Sequence, residues 1–270
     1  METTDIISML IDIIFALTGI IIGWVALREK TVGKELPSPP FSLGELIATA
    51  FALVTAFIGP NVLVFALTPG MPEMPVLTKY ALIPSVLLII VVYFIAKNKG
   101  WTRLINRLLT GLWIGAVGSG FLDLIRLPGF HLGYMPGNMP RMFGVLITDT
   151  MAIGPTPSSD LIGSLYHYWV GACFGITLTL IGGKVKWWWG LIWGWIIEIG
   201  MMTTSPMVTA MDTGYFGVKF GPGLFVVSFL AHTLMGIVFG LLAQKYIQHK
   251  GSLLFNTLQL FKKRASHSIE

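Results

Sequence analysis

Charge is scarce in this sequence. Lys, Arg, Asp and Glu make up 11% of its residues, against about 25% in soluble domains. Hydrophobic residues make up 54%, and that imbalance excludes an ordinary water-soluble domain. Cysteine is scarcer still. Cys173 stands alone, so no intrachain disulfide is possible and the redox compartment stays open. There is no Gly-rich phosphate loop ending in Lys, which excludes a P-loop ATPase. H-E-x-x-H and G-x-S-x-G are both missing, so membrane metalloprotease and common serine hydrolase chemistry lack their motifs. The last apolar run holds no internal lysine for a retinal Schiff base. The start of the chain has no basic n-region. It is acidic, with Glu2 and Asp5, and the first apolar run reads as a retained span rather than a signal peptide.

What is present is long apolar runs, the signature of membrane spans. The pattern predicts an all-α polytopic bundle of seven transmembrane helices, at about 6–27, 42–66, 79–96, 107–126, 160–183, 187–210 and 222–245. Breakers fill the connections: Pro37, Pro39 and Pro40; Pro69, Gly70, Pro72 and Pro75; and the stretch from Gly214 to Gly223. Gly59-Pro60-Asn61 predicts a kink in the second span.

Lys and Arg total 18 and divide unequally between the two ends. Fourteen fall on one side: Arg28, Lys30, Lys34, Lys97, Lys99, Arg103, Arg107, Lys184, Lys186, Lys245, Lys250, Lys262, Lys263 and Arg264. Four fall on the other: Lys79, Arg126, Arg141 and Lys219. This bias puts the N-terminus outside and the C-terminus in the cytoplasm of a multi-pass cell-membrane protein. The net charge of +5 is thus a matter of topology, not of nucleic acid. The expected partners are the lipid bilayer and other membrane subunits or further copies of the chain.

Three regions follow: peripheral helices over 1–100, a four-helix core over 101–250, and a basic interfacial tail over 251–270. In the 127–159 connection, Met142 to Ile153 is apolar but too short to cross, and reads as re-entrant or surface-lying. Asp160, after Ser158-Ser159, marks the N-cap region of the fifth span. In the tail, Leu254, Leu258 and Phe261 precede Lys262-Lys263-Arg264, as in a helix lying on anionic lipid; a frayed polar tail is the alternative.

One pattern occurs twice. His167 to Gly175 and His232 to Gly240 both read H-x-x-x-G-x-x-F-G. Gly111-Leu112-Trp113-Ile114-Gly115 and Gly190-Leu191-Ile192-Trp193-Gly194 form a second matched pair. Together they predict parallel internal repeats, spans 4–5 and spans 6–7, about an axis along the membrane normal. Gly118-Ser119-Gly120-Phe121-Leu122-Asp123, His167-Tyr168 with Gly171, and His232 with Gly236 resemble an uncharacterised group of small four-helix bacterial membrane proteins. The resemblance covers about 107–245 and implies a membrane bundle, with no activity attached.

Three constellations carry candidate chemistry. His167 and His232 lie at similar depth, with Gly171 and Gly236 one turn on. The glycines let another helix or a flat ligand approach the backbone. Two imidazoles beside glycines suit axial ligation of haem b; each His bonding a neighbouring helix and only packing is the plainer reading. The second constellation is thioether-rich: His131, Met135, Met139 and Met142 suit copper as Cu(I), or simply fill irregular gaps. The third is charge. Asp123 and Arg126 sit three residues apart and pair. Glu198 in mid-span must be protonated, paired or facing water, which makes it a proton-relay or pocket residue. The leading expectation is a membrane subunit with an outward-facing polar pocket for haem b or copper, accessory to a larger complex. A small-solute or ion transporter, or a purely structural subunit, are the alternatives.

Overall fold

The structure, a computed structural model, describes residues 3–29 and 35–267. Among these, every regular element is helical. The long helices are α1 (Thr3–Arg28), α2 (Leu43–Ala66), α5 (Thr102–His131), α7 (Pro157–Gly182), α8 (Trp187–Thr203) and α10 (Pro222–Tyr246). A further long rod is composite: α3 (Met74–Leu77), a π turn over Thr78–Leu82, and α4 (Ile83–Asn98). Three shorter helices are α6 (Met139–Thr148), α9 (Ser205–Ala210) and α11 (Leu253–His267).

Among the described residues, six rods are long and apolar enough to cross a membrane: α1 from Ile6, α2, Met74–Asn98, α5, α7 and α10. The seventh expected span is shorter than the sequence reading. Its helix α8 has 17 residues and ends at Thr203, before Pro206. Pro206 lacks the N–H that would continue the ladder, so the chain breaks at Thr204 and restarts as α9. The outer surface is a belt of apolar side chains such as Ile14, Val54 and Leu87, each more than half exposed. A belt of that kind fits lipid and would be unstable in water. The chain is a multi-pass helical membrane bundle.

Glycine decides which helices touch. A Cβ at Gly115 would stand 2.2 Å from the Gly171 carbonyl oxygen, and one at Gly175 would stand 2.2 Å from the Gly111 carbonyl. α5 and α7 therefore pack antiparallel, backbone on backbone. Across α8 and α10 the matching residues do the same. A Cβ at Gly194 would lie 2.4 Å from the His232 carbonyl, and one at Gly190 would lie 2.4 Å from the Gly236 carbonyl. The two pairs join where the Phe239 ring fills the space over Gly118. α1 lies on α5 through Gly19 and Gly120. α2 and α4 pack on α7 and α5 through Ala52, Ala56, Ile89, Val92, Cys173, Ile176 and Leu180.

The helix α6 stands for the short apolar piece expected at 142–153. It begins at Met139 behind Pro140 and docks on α7, where a Cβ at Gly144 would strike the Ser159 carbonyl. The cap of α7 is Thr156, not Ser158 or Asp160. Its hydroxyl accepts from Ser159 N–H, and the Ser159 hydroxyl accepts from Thr156 N–H. Pro157 then takes the first helical position. Pro60 sits within the unbroken α2. The tail forms α11, with Leu254, Leu258 and Phe261 exposed on one side and Asn256 turned inward onto Arg103, 3.0 Å.

Candidate functional site

The two repeated histidines meet one cavity. It measures about 330 Å³ and lies among α2, α5, α7, α8 and α10, with α6 at one end. His167 and Val170 reach it from α7, and His232, Ser228 and Met235 from α10. Ser119 and Arg126 line it from α5. Most of the remaining wall is apolar. Phe57 of α2 and Ile196 of α8 also line it while about half exposed, at 45% and 53%. The cavity thus opens sideways between α2 and α8, onto the surface that faces lipid.

Each histidine has a buried carboxylate on the helix it packs against. His232 Nδ1 is 2.8 Å from Glu198 Oε2 and 3.0 Å from the Ser228 carbonyl. A carbonyl can only accept, so Nδ1 carries the hydrogen and Nε2 is the nitrogen left for the cavity. The Ser228 hydroxyl donates to Glu198 Oε2, 2.8 Å, while Oε1 has no hydrogen-bond partner. Glu198 is 1% exposed. Burial of that carboxylate is offset by the imidazole and hydroxyl, both contributed by α10.

The other pair is built differently. His167 Nε2 lies 3.2 Å from Asp123 Oδ1, within ion-pair range but out of line for a hydrogen bond. Asp123 is held mainly by its own helix: Arg126 Nε donates to Oδ1 at 2.7 Å, one turn away. Tyr168 Oη donates to Oδ2, 3.2 Å. Arg126 extends the network to Asn138, 3.0 Å, which donates to Asp12 on α1. Asp12 also accepts from Ser164, 3.3 Å. Next to it, Arg141 reaches Ser8 at 3.1 Å and Asp160 at 3.5 Å. Four helices, α1, α5, α6 and α7, are tied by this network at one end of the bundle. Arg126 is 4% exposed and keeps Nη2 without a partner.

The structure therefore gathers His167, His232, Glu198, Asp123 and Arg126 on or directly behind one cavity. Gly171 and Gly236 have a different task from the one a flat macrocycle would give them. A Cβ at Gly171 would strike Ser119 Oγ, and one at Gly236 would lie 2.6 Å from the Gly190 carbonyl. Those faces lie against neighbouring helices, while Gly171 also borders the cavity. The thioether set divides. Met135 and Met139 line the cavity. Met142 packs around the Tyr166 and Leu63 core instead. His131 is exposed at the end of α5, tilted against Phe130. Among the described residues, no three His, Cys, Asp or Glu come together to hold a metal ion.

Two sets of residues escaped the sequence reading. Asp12 is one; as the sole charge in its apolar run, it carried a readable signal. The other lies at the opposite end of the bundle. Glu45 Oε1 is 3.4 Å from Arg103 Nε, and Arg107 donates to the Gly251 carbonyl. His249, 2% exposed, lies among them. Burial, and then the charges of Arg103 and Arg107, hold its imidazole below the usual range. The i, i+4 spacing of Arg103 and Arg107 marked one helix face, but nothing local named Glu45 or His249 as their neighbours. No family model, curated protein or solved structure matches this chain.

Proposed function

We propose that this is a seven-span membrane protein, N-terminus outside, that takes a mostly apolar small molecule from the bilayer into the cavity between its two helix pairs. The observation that carries the reading is the shared cavity itself. One histidine from each pair reaches it, each backed by a buried carboxylate, and its mouth opens toward lipid. An apolar body fits the wall, while Arg126, His167, Ser228 and His232 meet a polar end. Sites at the interface of repeated helix pairs follow the same logic in many transport folds. α8 counts as the seventh span because it runs antiparallel to α10, from the Lys186 end to the Met202 end, in step with the charge bias.

The test is extraction. Protein purified in mild detergent should release an apolar compound visible by mass spectrometry. Val170→Trp, which fills the cavity from a half-buried position, should release far less. Equal recovery from both proteins, or none from either, would overturn the proposal. A second reading is proton-coupled solute transport, favoured by the two carboxylate–imidazole pairs. It expects pH-dependent flux in proteoliposomes that Glu198→Gln removes.

A further inference from the structure

We propose that a second, smaller cavity in this bundle is a binding site for a soft monovalent cation, Cu(I), held by methionine sulfur. The cavity measures about 30 Å³, room for one water-sized body. Six of its ten lining residues are methionine: Met135, Met139, Met201, Met202, Met207 and Met211. The whole chain has 13 methionines, so nearly half of them converge on a space fit for a single ion. They arrive from three separate segments: the approach to α6, the end of α8, and α9 with its last turn. Chance neighbours along one helix cannot produce that convergence.

The chemistry of the wall selects the ion. No carboxylate or imidazole lines it, so hard Ca²⁺ or Mg²⁺ finds no anionic oxygen. Zn²⁺ finds none of its Cys, His or carboxylate ligands. Neutral thioethers suit Cu(I), which is soft and carries one charge. A carboxyl group stands just behind the wall. Ser228 lines the cavity and donates to Glu198, 2.8 Å away. Met135, Met139, Met201, Met207 and Ser228 line the larger cavity too, so the two spaces adjoin. The site nevertheless stands on its own residues, and it survives if the larger cavity holds no apolar ligand.

The experiment is an anaerobic titration of detergent-purified protein with Cu(I), in competition with bathocuproine disulfonate, followed by X-ray absorption. The expected result is one Cu(I) per chain, a shell of sulfur scatterers, and no competition from Zn²⁺. The triple variant Met135→Leu, Met202→Leu and Met207→Leu nearly conserves volume and should weaken binding by about tenfold or more. Its thermal unfolding without metal checks that it folds. Should it fail to fold, the half-buried single variants Met139→Leu and Met211→Leu should each weaken binding several-fold. Leucine variants that bind as tightly as the native protein would overturn the proposal and leave methionine as a gap-filler. So would a scattering shell of nitrogen and oxygen alone, or a native protein that cedes all its Cu(I) to the competitor.

Discussion

At the scale of a residue, one absent methyl group sets the distance between α5 and α7. Gly115→Ala would force a Cβ to within 2.2 Å of the Gly171 carbonyl, whereas nothing lies within 4 Å of a Cβ at Gly200. Gly115→Ala should therefore cost about 1–3 kcal/mol as the helices part. Gly200→Ala should be neutral or gain up to about 1 kcal/mol from helix propensity. Unfolding midpoints in detergent check both. His232 and Glu198 form a second residue-scale test. His232→Ala leaves a buried carboxylate with only Ser228, at a cost of about 3–5 kcal/mol. Adding Glu198→Leu should recover part of that loss, so the two changes should be clearly non-additive. The histidines were legible because their motif repeats. Their partners were not, because a carboxylate on another helix has no spacing that points to it.

At the scale of an element, α8 and α11 carry the questions. α8 is shorter than its apolar run because Pro206 stops it, a boundary that hydropathy alone does not register. In a Cys173→Ala background, Ser158→Cys at the α7 end should react with an impermeant thiol reagent on intact cells, and Thr102→Cys should not. The opposite pattern would reverse the proposed orientation. α11 is docked beside Arg103, Arg107 and His249, which gives that end of the bundle a pH dependence of known sign. In the unfolded chain His249 takes up its proton near pH 6.5. In the folded protein, burial and the two arginines keep it neutral to a lower pH. Its contribution is then complete above about pH 6.5 and declines as pH falls below that. Native protein should lose more thermal stability than His249→Gln between about pH 7.5 and 5.5; parallel curves would show that His249 contributes nothing.

At the scale of the whole molecule, the helical membrane bundle was largely written in the chain, with six of the seven expected rods long and apolar enough to cross a membrane among the described residues. Apolar runs are local quantities that a stretch of sequence carries by itself. Which rods touch was legible only in part. The glycine motifs announced close approach, yet left open whether helix or ligand would occupy the gap. Gly171 and Gly236 gave it to helices. A polar pocket was expected, but its place and its mostly apolar wall were not legible, because an empty volume belongs to several helices at once and to no stretch of sequence. If one ligand bridges both histidines there, His167→Ala and His232→Ala should each abolish its recovery from purified protein, and the double variant should look like either one. A loss confined to one variant would show that only one histidine touches it.

The two carboxylates behind those histidines differ in a way that matters during biosynthesis. Asp123 meets Arg126 one turn along the same helix, so α5 enters the lipid already neutralised as a pair. Glu198 has no such neighbour on α8. Its partners, Ser228 and His232, lie about 30 residues further along the chain, on a different helix. A lone carboxylate costs about 2.5–3.5 kcal/mol at the centre of an inserting helix. α5 is therefore expected to partition on its own, whereas α8 is expected to partition well only together with α10. If α8 spans as proposed, the second helix pair is expected to enter the membrane as a hairpin, and the first is not bound to do so.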